Sequence, residues 1–363
     1  MTRLTENCGN SVLPNDQLLV ISWRSYHPVG TPDRKDITVA VTDFLTGTSS
    51  TPSIATTSVI ESPADAESSV SPPRTIALDI TRVIEKQIDS VIDDFHRLKL
   101  VREIGKNWDL FYKRNGARFF KDRHWSTREF GDLLPLFPNL TQRIAPWSIL
   151  EVGCGVGNFL IPLLEDLLLD GRQSTSLADV DLSMIHVFAC DISIRAISLL
   201  RERAAECSLP CTAFVCDVCQ PDSLKTSLLQ SQSDSSHSLS QVDVVTLIFV
   251  LSAVSPWNMV TFLKNIVSVL KPGGRVLLRD YGLHDHAQLR FGRGTRFLPE
   301  VPAYARQDGT LTYYFSVEEL NDLLLTSGLH TLRCEYIYRQ LNNVAEGISV
   351  QRVFVQAVAE RPL

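Results

Sequence analysis

Three glycines that follow a carboxylate form the part of this sequence best suited to holding a ligand. Gly153, Gly155 and Gly157 come directly after the apolar run 147–152, in which Glu151 is the charged residue. Glycine lets a backbone approach a ligand closely and adopt positive φ angles, and the helix predicted after the turn begins with unpaired N–H groups. Strand, turn and helix together predict a nucleotide-type ligand site at the carboxyl edge of a parallel sheet.

The spacing of the glycines distinguishes between two kinds of ligand. A dinucleotide fingerprint reads G-x-G-x-x-G, and Asn158 holds the place of its last glycine. A carboxylate at Glu151 would also repel a pyrophosphate, whereas it suits a ligand that carries positive charge. S-adenosylmethionine has an amine and a sulfonium and no phosphate. From these residues alone, a tight turn without any ligand remains the alternative.

Further carboxylates follow the next two predicted strands. The apolar run 186–191 ends in Asp191, and Asp217 closes the run that begins at residue 213. An acid after the second strand is the usual partner of ribose hydroxyls, and we expect Asp217 and Val218 to meet the adenine ring. The runs 242–251 and 276–278 bring the strand-like segments to five. They alternate with predicted helices, as a doubly wound sheet requires.

This combination, with the turn Lys271-Pro272-Gly273-Gly274, resembles the class I S-adenosylmethionine-dependent methyltransferases over about residues 145–360. The resemblance implies an α/β fold, with a Rossmann-like seven-stranded sheet that ends in an antiparallel hairpin. Segments 332–339 and 350–359 are the candidates for that hairpin.

The segment Arg97–Arg128 differs in composition from the rest of the chain. It holds ten Lys or Arg and three Asp or Glu, a balance of +7 in a chain whose net charge is −6. Aromatic residues are interspersed among them: Trp108, Phe111, Tyr112, Phe119, Phe120 and Trp125. Basic side chains can neutralise phosphates and aromatic ones can stack on bases, which indicates RNA binding. The alternative is an amphipathic helical cap whose aromatic residues pack on the sheet.

Longer runs narrow the resemblance. They are 107–115, 119–125, 249–254, 279–282 with Asp285 and 287–291, and 306–310. Over about residues 90–358 they resemble the methyltransferase-like tRNA cytidine N3-methyltransferases, and the tail 346–354 resembles the branch that acts on serine tRNAs. The resemblance implies methylation of cytidine 32 in the anticodon loop, helped by seryl-tRNA synthetase. Threonine or arginine tRNAs, a small molecule, a protein, and a non-catalytic RNA-binding scaffold remain the alternatives.

The resemblance also implies which residues contact the cofactor, S-adenosylmethionine. With Gly155 of the same turn, they are Trp108, Tyr112, Gly153, Asp191, Asp217, Val218 and Ile248. Trp108 and Tyr112 would close a lid over the cofactor, so part of the basic segment would have a second role.

For the methyl acceptor, we expect basic residues to contact the tRNA anticodon stem-loop. Candidates for phosphate contacts are Arg114, Lys121, Arg123 and Arg290, and His124 is a candidate for a contact with a base or a phosphate. Methylation of N3 leaves a cationic cytosine, so a nearby carboxylate would stabilise the developing charge. Asp280, which follows the strand 276–278, is the catalytic candidate. A helix cap, or a partner for Arg279, is the alternative for this residue.

The sequence also predicts the organisation of the chain. Residues 1–80, rich in Ser, Thr and Pro, are expected to be a disordered extension, and residues 81–140 a basic aromatic helical segment. The catalytic domain would span 141–363, with surface insertions near 172–183 and 222–241. No apolar run approaches the roughly 20 residues of a membrane span, and no signal pattern is evident. We therefore expect a monomer without membrane contact, in the cytoplasm and, as a second location, the nucleus.

The eight cysteines are expected to be free thiols, as in other intracellular enzymes. Cys207, Cys211, Cys216 and Cys219 are close enough in sequence to suggest zinc. Only the last two have the C-x-x-C spacing of a zinc knuckle, so no metal is expected.

Overall fold

The computed structural model describes residues 74–124, 130, 147–173, 185–232, 239–343 and 348–363. The chain divides into two units, Met1–Thr81 and Arg82–Leu363, and the central sheet belongs to the second. Of the first unit only residues 74–81 are described, and they begin helix α1, Arg74–Ile88. The predicted extension 1–80 therefore lies largely outside the described residues, and its last seven residues are helical instead of disordered.

The described residues contain ten strands. In chain order they are β1 Trp147–Val152, β2 Ile185–Asp191, β3 Thr212–Val215, β4 Val242–Ile248, β5 Leu270–Tyr281, β6 Arg296–Leu298, β7 Val301–Ala305, β8 Leu311–Tyr313, β9 His330–Asn343 and β10 Ile348–Glu360. Seven of them form one sheet in the order β3-β2-β1-β4-β5-β10-β9. Strands β1 to β5 are parallel, and β10 is antiparallel to β5 and to β9. The predicted seven-stranded sheet with its antiparallel hairpin is confirmed.

Helices join the parallel strands and cover the sheet. After α1, in chain order, they are α2 Asp94–Arg102, α3 Ile104–Asn115, α4 Leu160–Gln173, α5 Ile194–Glu206, α6 Ser223–Gln230, α7 Met259–Val269, α8 His286–Leu289 and α9 Val317–Thr326. Two of the well-formed starts are capped by serine, because the hydroxyls of Ser193 and Ser316 accept hydrogen bonds from N–H groups of the first turn. None of the helices in these ranges is long and apolar enough to cross a membrane.

Helix α6 corrects the predicted insertion near 222–241. Residues 223–230 are the helix that connects β3 to β4, and Leu224 and Leu228, one turn apart, are fully buried. The many Ser and Gln residues around them concealed this apolar stripe in the sequence. Residues 233–238, and most of the other predicted insertion (174–183), lie outside the described residues.

Alternate residues of the central strands enter two hydrophobic cores, one on each face of the sheet. Leu150, Leu247 and Leu278 pack into one core, whereas Ile149 and Leu277 pack into the other, as the two-residue period of a strand requires. Burial on both faces explains why these strands read as continuous apolar runs. Because they are parallel, the carboxyl ends of β1 to β5 meet at one edge of the sheet.

A second sheet of three short antiparallel strands, in the order β6-β7-β8, was not predicted. Its strands are three to five residues long, too short for a period of two residues to be recognised. The side chain of Gln87 ties it to the helical segment, since Tyr304 Oη donates to Gln87 Oε1 at 2.7 Å and Gln87 Nε2 donates to Gln288 O at 3.0 Å.

Candidate active site

The glycine turn between β1 and α4 forms the floor of a cavity at the carboxyl edge of the sheet. Gly153 and Gly155 have φ angles of 66° and 54°, which residues with a side chain rarely adopt. A Cβ atom at Gly153 would lie 2.1 Å from Val250 Cγ2, and one at Gly155 would lie 2.5 Å from Tyr112 Oη. Backbone conformation and the closeness of the cavity wall therefore both require glycine here.

The cavity brings together all eight residues that were predicted to contact the cofactor. The space between its walls is about 1060 Å³ with the open mouth included. The lining includes Trp108, Tyr112, Gly153, Gly155, Asp191, Asp217, Val218 and Ile248. Their shared location agrees with the predicted roles, which stay predictions.

Backbone N–H groups hold the two strand-end aspartates of the cavity in place. Asp191 accepts hydrogen bonds from Gly155 N and from Ser193 N, each at 2.9 Å. Burial raises the pKa of Asp191 to about 6, against the effect of these bonds. Asp217 accepts from Cys219 N at 3.0 Å. Each carboxylate is thus fixed in orientation before a ligand arrives.

Helix α3 covers one side of the cavity and is attached at two points. Trp108 and Tyr112 lie one turn apart, with ring centroids 6.1 Å from each other, and both line the cavity. Asp109 accepts hydrogen bonds from the Ser193 hydroxyl and the Arg195 N–H at the start of α5. Asn107 Nδ2 donates to Gly309 O at 2.8 Å. The predicted lid therefore rests on two separate elements.

In the sheet order, β1 lies between β2 and β3 on one side and β4 and β5 on the other. The ends of β2 and β3 therefore line one half of the cavity, and the ends of β4 and β5 line the other. Phe249 and Tyr281 line this half, with ring centroids 5.0 Å apart. The Arg306 guanidinium lies 5.8 Å from the Tyr281 ring centroid. None of these three residues was predicted individually to act in the site, although each lies in a run that carried the resemblance.

Comparison with known proteins identifies the family. A methyltransferase domain model matches residues 113–333. Among solved structures, an S-adenosylmethionine-dependent methyltransferase from Anabaena variabilis is 13% identical, with a TM-score of 0.45 over 71% of this chain and 95% of its own. The Schizosaccharomyces pombe tRNA N(3)-methylcytidine methyltransferase trm141 is 34% identical over 74% of this chain and 97% of its own. The mouse tRNA N(3)-cytidine methyltransferase METTL6 is 42% identical over 76% of this chain and 88% of its own. This chain belongs to the tRNA N(3)-cytidine methyltransferase family.

S-adenosylmethionine is the cofactor of this methyltransferase, and the charges of the cavity fit it. Glu151 is 2% exposed and lines the cavity, yet its Oε2 atom has no hydrogen-bond partner in the described part of the chain. Burial raises the pKa of Glu151 to about 8. A buried carboxylate oxygen without a partner is costly, so a ligand ammonium group at this point would be stabilised. The expectation that Glu151 suits a positively charged ligand therefore agrees with its surroundings.

Asp280, the candidate catalytic residue, lies behind the cavity wall. It is fully buried, and its carboxylate accepts hydrogen bonds from Ser252 N and Tyr281 N, both at 2.9 Å. Burial raises its pKa to about 6. Ser252 and Tyr281 line the cavity, so Asp280 acts on the site through them. A catalytic role stays a prediction, and the geometry makes it an indirect one.

The five predicted substrate contacts fall into two environments. Arg114, Lys121, His124 and Arg290 are exposed to solvent. Arg123 lines the cavity, with its guanidinium 4.5 Å from the Phe249 ring centroid. The prediction that it contacts a phosphate alongside Lys121 does not fit this position, because the two side chains point to different surroundings.

The cysteines of the described residues are free thiols. Cys154, Cys190, Cys216 and Cys219 line the cavity, and burial raises the pKa of each. No group of three or more His, Cys, Asp or Glu side chains in this part of the chain could hold a metal ion.

Proposed function

We propose that this enzyme transfers a methyl group from S-adenosylmethionine to N3 of cytidine 32 in the anticodon loop of serine tRNAs. The curated relatives METTL6 and trm141 are named for N3 methylation of cytidine in tRNA. One observation supports an RNA substrate for this chain in particular, and it is the surface beside the cavity mouth.

Five exposed side chains form this surface, and we call them the basic aromatic surface: Lys113, Arg114, Arg118, Phe119 and Lys121. They follow directly after Tyr112, which lines the cavity. None of the four cations forms an ion pair with a carboxylate among the described residues, and Phe119 is 59% exposed. Unpaired cations beside an exposed aromatic ring suit a phosphate backbone with unstacked bases.

The other aromatic residues of this segment support the alternative interpretation in part. Phe111 and Tyr112 are buried, and Trp108 and Phe120 pack against them. The two faces of the basic segment therefore have different functions. Its inward aromatic residues cover the cofactor cavity, and its outward cations are free to meet RNA.

We place the methyl acceptor in the half of the cavity formed by β4 and β5. Phe249 and Tyr281 offer aromatic faces there, and a flipped base can stack on such faces. The N3 atom is on the Watson–Crick edge, so the cytosine must be unpaired, as it is in an anticodon loop. The Arg306 guanidinium beside Tyr281 could meet a carbonyl oxygen or a phosphate of the same nucleotide.

The reaction mainly requires that the reacting atoms be aligned. The cofactor supplies an electrophilic methyl group on a sulfonium sulfur. Cytosine N3 carries a lone pair at neutral pH, so the protein needs no strong base to expose it, and its task is to hold N3 in line with the methyl group. Asp280 holds the backbone at Ser252 and Tyr281, which fixes the wall against which the base would lie. Its negative charge would also favour the cationic product.

The assignment to serine tRNAs rests on the resemblance of the tail 346–354, and it includes help from seryl-tRNA synthetase. The test is to incubate the protein with individual unmodified serine, threonine and arginine tRNAs, with and without the synthetase. We expect 3-methylcytidine at position 32 of serine tRNAs, formed faster with the synthetase, and none when position 32 is uridine. Mass spectrometry of nuclease fragments maps the modified base.

Two outcomes would change the proposal in different ways. Preferential methylation of threonine or arginine tRNA would overturn the serine assignment and keep the reaction. If the protein binds S-adenosylmethionine but methylates no tRNA, the assignment of tRNA as the methyl acceptor is wrong. We also propose a cytoplasmic monomer with the nucleus as a second location, which light scattering and microscopy of the tagged chain would test.

A further inference from the structure

Arg123 is a cation in the cavity wall with few partners of its own. Its one side-chain hydrogen bond to the described residues runs from Nη1 to Ile248 O, at the long distance of 3.5 Å. The guanidinium stacks on Phe249 at 4.5 Å, and burial lowers the pKa of Arg123 below its usual range. It forms no ion pair with any carboxylate of the described residues. A guanidinium has five N–H donors, so most of its donors are available to a ligand in the cavity.

The chain holds Arg123 firmly against the glycine turn. Its backbone N–H donates to Asn158 O at 2.8 Å, and Asn158 Nδ2 donates to the neighbouring Asp122 Oδ1 at 2.8 Å. From α5, Arg203 donates to Asp122 at 3.0 Å and to Val156 O at 2.7 Å. Arg123 therefore belongs to the same rigid unit as the turn, in contrast to the exposed cations beside it.

Glu151 and Arg123 both line the cavity close to this turn. Burial lowers the pKa of Arg123, and a charge on Glu151 opposes this lowering, but no ion pair joins them among the described side chains. Among the residues that the structure describes, Glu151 Oε2 has no hydrogen-bond partner, and most Arg123 donors have no acceptor. A ligand that carries an ammonium group and a carboxylate on one carbon atom would satisfy both. The amino-acid end of S-adenosylmethionine has this pair of groups.

We propose that Arg123 binds the α-carboxylate of S-adenosylmethionine, with Glu151 receiving the ammonium group. The proposal rests on the cofactor and not on the identity of the methyl acceptor. It replaces the phosphate contact expected from the sequence. A fork of two parallel N–H···O bonds is the geometry in which arginine binds a carboxylate best.

Calorimetry without tRNA tests the proposal with two ligands, S-adenosylmethionine and its decarboxylated analogue, which lacks only the carboxylate. We expect the unmodified protein to bind the analogue about 10- to 100-fold more weakly. Arg123→Met should weaken S-adenosylmethionine binding by a similar factor while changing the Kd of the analogue less than about 3-fold. Arg123→Lys, which keeps the charge but not the fork, should fall between them.

Lys225→Met is the matched control, because it removes a cation from an exposed position on α6; its Kd for S-adenosylmethionine should equal that of the unmodified protein. Thermal unfolding of each variant shows whether it has folded. Equal affinity of the unmodified protein for both ligands would overturn the proposal without any substitution. So would an Arg123→Met variant that binds both ligands equally less well, or one that binds S-adenosylmethionine as tightly as the unmodified protein does.

Discussion

The cavity and the basic aromatic surface use charge in opposite ways, although the surface follows directly after Tyr112 of the cavity lining. In the cavity, Glu151 and Asp191 are buried carboxylates whose pKa values are raised by burial, to about 8 and about 6. On the surface, Arg114 and Lys121 are exposed cations without carboxylate partners in the described part of the chain. The first arrangement suits one small cation, and the second suits an extended polyanion.

Charged groups contribute to ligand specificity in different ways in the two regions. Few groups act in the cavity, each strongly, because the surrounding dielectric is low and the groups are held in place. On the surface, water and salt screen each charge over about 8–10 Å, so affinity is the sum of many weak contributions. Mutations in the cavity should therefore have large effects that depend little on salt, whereas those on the surface should be small and depend on salt.

The largest expected effect is on cofactor binding by Asp191→Ala. The substitution removes the carboxylate predicted to meet the ribose hydroxyls and the acceptor of Gly155 N. We expect calorimetry to show S-adenosylmethionine binding weakened by at least about 100-fold, with tRNA affinity nearly intact. Glu202→Ala, an equal change of charge at an exposed position of α5, should change neither. If Asp191→Ala loses affinity for both S-adenosylmethionine and tRNA, the substitution has damaged the fold.

Asp280→Asn should act next most strongly, on turnover. The amide can replace only part of the carboxylate that accepts from Ser252 N and Tyr281 N, so we expect kcat to fall by about 10- to 100-fold with an unchanged Kd for S-adenosylmethionine.

The pH dependence separates the charge of Asp280 from its structural contribution. Because its pKa is raised to about 6, the group is protonated below that pH, and kcat should fall as pH decreases through about 6. The Asn variant should lack this fall. A fall of the same shape in both proteins would assign the titration to another group.

A smaller effect is expected from Arg114→Glu combined with Lys121→Glu. At moderate salt the double variant should bind tRNA about 10-fold more weakly, and the dependence of log Kd on log salt should decrease in slope by about 2. Filter binding at several salt concentrations measures both quantities. Lys225→Glu with Lys264→Glu makes the same change of charge at exposed positions elsewhere. If that control lowers the slope equally, net charge and not this surface determines binding.

The smallest expected effect is that of Asp109→Ala, which removes one of the two attachments of α3. Without the hydrogen bonds to Ser193 and Arg195, the lid should open more often, and S-adenosylmethionine should dissociate about 3-fold faster in stopped-flow experiments. Lys106→Ala, on the exposed side of the same helix, should leave the dissociation rate unchanged. An unaltered rate in Asp109→Ala would show that α3 does not limit cofactor release.

Much of the fold and of the cofactor site can be predicted from residues that lie close together in the sequence. The apolar runs determine β1 to β5, and a residue predicted to act in the site lies at or just after the carboxyl end of each strand, such as Asp191 at the end of β2. Parallel pairing then brings these ends to one edge whatever the details of packing. This is why the glycine turn and the strand-end acids could be recognised before the structure, whereas the short strands β6 to β8 could not.

The tertiary structure alone decided the roles of residues whose partners are distant in the chain. Arg123 faces the cavity because Asn158, 35 positions away in sequence, and Arg203 hold its segment inward. Asp280 is buried because Ser252, in the connection that follows β4, packs over it and donates a backbone hydrogen bond to its carboxylate. A basic residue in a basic segment looks the same in the sequence whether it faces solvent or a ligand. Only the packing of distant segments determines its surroundings, and its surroundings determine its chemistry.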